Sequence, residues 1–181
     1  LDDERTDDSG YWVYDHGAIV DHVDAIRIMA YDYSTDRAGP IAPLEWVEEI
    51  IAGTTEAAGS PEKLVLGIPM YGRNWVLRTE GECPESAVTS TQGVQLDSVA
   101  DLAARRDAVP VFDPTTGESS FQYQLTYTDG DLECTQTRQV NFVDTEGIRI
   151  RMQMSIDAGM LGVSLFAMGH ESDAVYDDIA A

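Results

Sequence analysis

Basic residues are scarce in this chain of 181 residues: 11 stand against 33 acidic ones, lysine occurs once, at Lys63, and the formal net charge is −22. So negative a surface repels phosphate backbones and anionic headgroups, so no nucleic acid and no membrane surface is expected as a partner. It solubilises the chain, and it also suits a saline medium whose counterions screen self-repulsion. Long apolar runs are missing too; none approaches the roughly 18 residues of a membrane span. Cysteine occurs only as Cys83 and Cys134, too few for a four-thiolate zinc site and in no Cys-x-x-Cys pair. Paired, they would close a long loop and contribute roughly 4 kcal/mol, and would imply an extracytoplasmic setting; the other reading is two free thiols. His16, His22 and His170 are scattered without the spacing of a metal set or a triad, and Asp129-Gly130-Asp131 is a turn lacking the rest of a calcium loop. No metal and no cofactor is expected. No signal peptide is present and Leu1 is not an initiator methionine, so a mature or excised chain is expected.

What is present is an alternation of strand and helix. Of the residues, 43% are hydrophobic, enough to bury one core. Residues 1–13 form an acidic, linker-like lead-in, and Asp15 to Val23 carries a short helical pattern. Ala25 to Tyr31 reads as a buried strand ending in Tyr31-Asp32-Tyr33. Pro43 to Ala58 is amphipathic, with Leu44, Val47, Ile50 and Ile51 opposite Glu45, Glu48 and Glu49, and it stops at Gly59. Lys63 to Met70 is a second strand, with Tyr71-Gly72-Arg73-Asn74-Trp75 as its polar and aromatic ending. Strand, helix and strand without a hairpin signal make a parallel βαβ unit over 14–76. Residues 77–144 change to short strands and turns, with a helix at Asp97–Arg106 and a hairpin turning at Thr128–Asp131. A helix (Thr145–Ala158), a strand (Gly162–Met168) and a terminal helix (Asp173–Ala181) complete 145–181.

These segments carry motifs. Met29-Ala30-Tyr31-Asp32 is followed by Gly39-Pro40-Ile41-Ala42-Pro43-Leu44-Glu45-Trp46, then by Lys63, Gly67, Pro69, Tyr71, Gly72 and Arg73 in order, and by Leu161-Gly162-Val163-Ser164-Leu165-Phe166. Together they resemble the C-terminal part of a family 18 glycoside hydrolase, a chitinase-like (β/α)8 barrel. The resemblance runs from about Tyr14 onward. It implies an α/β fold made of barrel strands six to eight, with an α+β insertion between strands seven and eight. It also implies a substrate-assisted, retaining cleavage of β-linked N-acetylglucosamine polymers, chitin or peptidoglycan, outside the cell or at its wall.

By the same resemblance, Tyr31 and Asp32 are the catalytic residues of this chain: Tyr31 donates to the substrate acetamido group and Asp32 sets the field around the acid. Met29, Tyr71, Arg73 and Phe166 bind substrate, Met29 as floor, Tyr71 and Arg73 against the neighbouring sugar, Phe166 as hydrophobic platform. Trp46 and Trp75 are packing residues. Each site residue also has a structural alternative, from core packing for Met29 to loop capping for Asp32. Two features depart from the family. The Asp-x-x-Asp-x-Asp-x-Glu motif that carries the acid is absent, and the eighth-strand tryptophan is Phe166. Three strands cannot close a barrel, so an N-terminal remainder of the barrel is the expected partner, and the chain alone is expected to be inactive. The rival reading is a glycan-binding relative without catalysis; a structural fragment with no ligand is the third.

Overall fold

The computed structural model describes residues 14–169 and Val175. The lead-in, His170 and the terminal helix at Asp173–Ala181 lie outside the described residues, Val175 apart, which is buried.

Three strands form a parallel sheet in the order β1 (Ile26–Ile28), β2 (Leu64–Pro69), β8 (Gly162–Phe166). Every residue of β2 is buried, as befits a central strand covered on both faces. β1 is shorter than its apolar run suggests. After Ile28 the backbone folds on itself: the amide of Ala30 donates to the Ile28 carbonyl at 3.0 Å, so Met29 to Asp32 leave the ladder. Ahead of β1, the Asp15–Val23 pattern splits into a single helical turn, α1 (His16–Ile19), capped by the Asp15 carboxylate, and a 3-10 turn over Val20–His22. Helix α2 (Leu44–Ala58) is entered from extended Pro43 and ends on Gly59 at φ 75°, a left-handed cap that glycine adopts without strain. Its Val47 and Ile51 are buried and join Ala30, Leu66, Ile68, Met70 and Ile148 in one apolar core.

The segment from Tyr71 is not the tail of β2. It opens a strand of its own, β3 (Tyr71–Gly81), which joins a five-stranded antiparallel sheet in the order β4-β3-β7-β6-β5. The other members are β4 (Gln92–Gln95), β5 (Val111–Asp113), β6 (Glu118–Asp129) and β7 (Leu132–Phe142), with α3 (Leu96–Arg105) between β4 and β5. These strands are longer than the turn-rich sequence suggests: along β6 Phe121, Tyr123 and Leu125 alternate with Gln122, Gln124 and Thr126, and along β7 burial alternates from Cys134 to Val140, so that one face packs. Phe121, Tyr123, Val140 and Phe142 are buried on it, together with Val99 and Ala103 of α3. The hairpin turns where expected, Asp129 pairing with Leu132 across Gly130 at φ 58°. Cys83 and Cys134 are joined by a disulfide with their Cα atoms 4.7 Å apart, which ties the segment after β3 to β7.

One buried polar cluster links the two sheets. Glu118, 2% exposed at the start of β6, accepts the amides of Ile41 (2.9 Å to each carboxylate oxygen) and Ala42 (2.7 Å). Arg151 of α4 (Thr145–Asp157) is 1% exposed and lies 3.6 Å from Glu118. It donates to the carbonyls of Gly117 and Gly147 at 2.8 Å and Thr116 at 3.1 Å, and to that of Ala42. Burial pushes the Glu118 carboxyl above its ordinary value, against the pull of the two amides and of Arg151, and burial brings Arg151 down to about 10. Desolvation thus outweighs the mutual attraction, the usual balance for a buried pair. The amide of Tyr33 donates to Ile41 at 2.8 Å, so the anchored loop closes back directly beside Asp32.

Candidate functional site

At the C-terminal ends of the parallel strands, where α/β folds place their chemistry, two backbone features bring side chains together. Asp32 takes φ 64°, a left-handed conformation that aspartate tolerates better than most residues. The amide of Met70 donates to the Phe166 carbonyl at 2.6 Å, which fixes the start of β3 against the end of β8. Tyr31 then stacks on Phe166 with ring centroids 5.2 Å apart and planes 14° apart. Tyr71 meets both rings edge-on, at 6.3 Å from Tyr31 and 6.2 Å from Phe166.

Below this aromatic group, Asp32 accepts a bond from Arg73 at 2.5 Å and another from the Tyr71 hydroxyl. An ion pair this open to water contributes little stability; its effect is to hold the carboxylate in one place with a fixed donor set. Burial, then the Asp32 charge, raises the Tyr31 phenol above its ordinary 10.0. Burial, then the hydrogen bond to Asp32, raises Tyr71 as well. Burial pulls Arg73 down, but its bond to Asp32 and the Asp32 charge outweigh that and leave it higher. At neutral pH both phenols are therefore protonated donors and Arg73 is charged.

Asp32, Tyr71, Arg73 and Phe166 line one cleft of about 710 Å³. Tyr31 borders it through its stack on Phe166. Met29 is not among the lining residues and is 70% exposed just beyond the end of β1. Trp75 is buried and Trp46 packs against the core. The far wall was not anticipated from the sequence: Asn74, the whole of β4 from Gln92 to Gln95, and Ser98, Leu102 and Arg105 complete the lining. A signal existed in the helical spacing of Ser98, Leu102 and Arg105, which share one stripe of α3. Among the lining residues the sole carboxylate is Asp32, and Arg73 engages it. The arrangement can orient and polarise a ligand and stack an apolar ring face, but no lining acid is free to protonate a leaving group. Among the described residues no cluster of His, Cys, Asp and Glu is disposed to hold a metal.

Gly67 sets the position of Tyr31. A Cβ there would lie 2.6 Å from the Ile28 carbonyl oxygen and 3.1 Å from Cε1 of Tyr31. Gly67→Ala is expected to destabilise the fold by about 1–3 kcal/mol, the usual cost of overpacking, and to shift the tyrosine; urea denaturation reads the first effect. An unchanged midpoint would show that β1 moves aside freely.

Parallel strands thus deliver a tyrosine-aspartate pair and an exposed aromatic ring to an open cleft on an α/β scaffold. The chain belongs to the glycosyl hydrolases of family 18, whose model matches residues 3–171. Among curated proteins it is 26% identical over 154 residues to a Bacillus subtilis protein named as a sporulation-specific glycosylase, covering 83% of this chain and 33% of that one. Among solved structures it is similar to a chitinase from Chromobacterium violaceum (25% identity, TM-score 0.73, 92% of this chain and 48% of that one). It is also similar in fold to the spore cortex-lytic enzyme SleL of Bacillus cereus (21% identity, TM-score 0.75, 92% and 37%). The chain spans between a third and a half of the length of each of these relatives.

Proposed function

We propose that this chain is the substrate-positioning half of a hydrolase of β-linked N-acetylglucosamine polymers, chitin or the glycan of peptidoglycan. β1, β2 and β8 are taken as barrel strands six, seven and eight, and the antiparallel unit as the insertion between the last two. The observation that carries this reading is Asp32, held by Tyr71 and Arg73 beneath the Tyr31–Phe166 stack. Family membership and the likeness to a chitinase and a cortex-lytic enzyme support it.

In the proposed mechanism the acetamido oxygen of the substrate attacks the anomeric carbon, and a carboxylic acid protonates the leaving oxygen. Water then opens the oxazolinium-like intermediate with net retention. Tyr31, kept protonated, donates to the acetamido carbonyl and orients it for attack. Asp32 accepts from the acetamido N–H and stabilises the positive charge that develops there. The acid belongs to the N-terminal remainder of the barrel, so this chain alone is inactive. Both open edges of the parallel sheet, on β1 and β8, offer places for that remainder to pair. The setting is secreted or at the cell wall, consistent with the disulfide.

The test is hydrolysis of a chromogenic N-acetylglucosaminide by the full-length polypeptide and by residues 1–181 alone. Turnover by the first and none by the second is expected. Turnover by the short chain would refute the missing acid. Binding without turnover by the full-length polypeptide would point to the non-catalytic glycan-binding reading.

A further inference from the structure

The two walls of the cleft differ in charge. On the barrel side the charges are spent, since Asp32 is paired with Arg73. On the far side, β4 contributes the neutral Gln92 and Gln95, and α3 contributes Ser98, Leu102 and Arg105. These three α3 residues fall at i, i+4 and i+7, whereas Val99 and Ala103 of the same helix are buried in the core. The helix also carries Asp97 and Asp101, yet neither lines the cleft. Asp101 lies four residues before Arg105, the spacing of a helical ion pair, but the four described salt bridges do not include it. Arg105 has neither an ion pair nor a side-chain hydrogen bond to any described residue.

The lining therefore holds two cations and one anion in a chain with 33 acidic and 11 basic residues. Among the described residues, the one lining charge without a partner is the Arg105 guanidinium, whose planar donor fork matches a carboxylate. We propose that Arg105 reads a carboxylate on the glycan, so that the cleft prefers an amino-sugar polymer carrying acid groups over a neutral one. This rests on the reading of the cleft as an N-acetylglucosamine site. The carboxylate comes either from a lactyl ether on the sugar or from a peptide attached to it. Repulsion between an acidic glycan and the acidic surface is largely screened beyond about 10 Å at 0.1 M salt, whereas a direct contact to the exposed Arg105 guanidinium lies well inside that length. A competing role exists: Arg105 stands in the last turn of α3, where a cation also steadies the helix dipole. Losing that role would affect folding and all ligands alike, not the preference among them.

The experiment is calorimetric titration of the full-length polypeptide and of Arg105→Gln and Arg105→Lys, at 0.1 M NaCl, with circular dichroism confirming the fold. Three ligands of matched length are used: neutral N-acetylglucosamine oligomers, peptide-free strands with lactyl carboxylates, and strands retaining their peptides. The wild type is expected to bind at least one acidic ligand about tenfold more tightly than the neutral one, the scale of a charge-assisted hydrogen bond. Whichever acidic ligand shows the preference identifies the source of the carboxylate. Arg105→Gln should erase the preference while leaving neutral oligomers within about twofold, and Arg105→Lys should keep part of it. Equal wild-type binding of neutral and acidic ligands would overturn the inference alone. So would a preference that survives Arg105→Gln, or a loss shared by all three ligands. No binding of any ligand would overturn the functional reading with it.

Discussion

Arg151→Met is expected to lower the stability of the full-length polypeptide by about 3–5 kcal/mol, the cost of removing one partner from a buried ion pair. Its guanidinium bridges the Ala42, Thr116, Gly117 and Gly147 carbonyls beside Glu118. Methionine fills similar volume but donates nothing, so four carbonyls lose a donor and a buried carboxylate loses its counter-charge. The double variant Glu118→Leu/Arg151→Met should cost less than the sum of the single changes, because no unpaired charge is left inside. Denaturant midpoints of the four proteins check this; a loss under about 1 kcal/mol for Arg151→Met, or strict additivity, would show the pair to be uncoupled. The pH dependence has a definite sign. Glu118 is raised above its ordinary 4.5 in the fold, so the folded state binds that proton more tightly than the unfolded chain. Its contribution is full below 4.5 and falls as pH climbs through the raised value, a decline that Glu118→Gln should lack.

Asp32→Ala is expected to cut kcat/KM of the full-length polypeptide on N-acetylglucosamine oligomers by on the order of 10²–10³, the range for losing one preorganised electrostatic group. Two losses combine. In the proposed mechanism the acetamido N–H loses its acceptor, and in the structure Arg73 and Tyr71 lose the carboxylate that fixes them. Asp32→Asn tests the two separately, since it keeps an acceptor oxygen and a hydrogen bond but not the charge. If charge on the intermediate is what Asp32 stabilises, Asn should lose most of the kcat and little of the KM. A uniform rise in KM with kcat unchanged would instead assign Asp32 to ground-state binding. Because Asp32 is partly exposed and its loop is anchored by Glu118 rather than by its own side chain, Asp32→Ala should still fold, at a cost of about 1–2 kcal/mol for alanine at φ 64°.

Much of this arrangement was legible in the chain. The apolar pattern of Pro43 to Ala58 with Gly59 after it marked α2 almost to the residue, and the apolar run Lys63 to Met70 announced a strand that forms over Leu64–Pro69. Tyr31, Asp32, Tyr71 and Arg73 stood out because each follows an apolar run at a strand end, whereas Phe166 was singled out only by the resemblance to the family. Tyr71 to Trp75 were misplaced, as a polar ending instead of a new strand, because alternation over a few residues does not say which sheet a segment will join. The far wall escaped for a related reason. Gln92, Gln95, Ser98 and Arg105 are ordinary surface residues in sequence, and only the packing of Val99 and Ala103 on the antiparallel sheet turns their stripe toward the cleft.

The sequence by itself determined the periodicity, and with it the parallel pair and the main helices, and it carried the motifs that resemble the family. These are local properties, set by where side chains point along a strand or a helix. The tertiary structure alone decided that Asp32 is clasped between Arg73 and Tyr71, that Met29 is exposed outside the cleft lining, and that Glu118, 77 residues from Ile41, anchors the loop behind the site. Each of those facts depends on a contact between segments far apart in the chain. Such contacts are fixed by the burial of whole faces against one another, which no short stretch of sequence encodes.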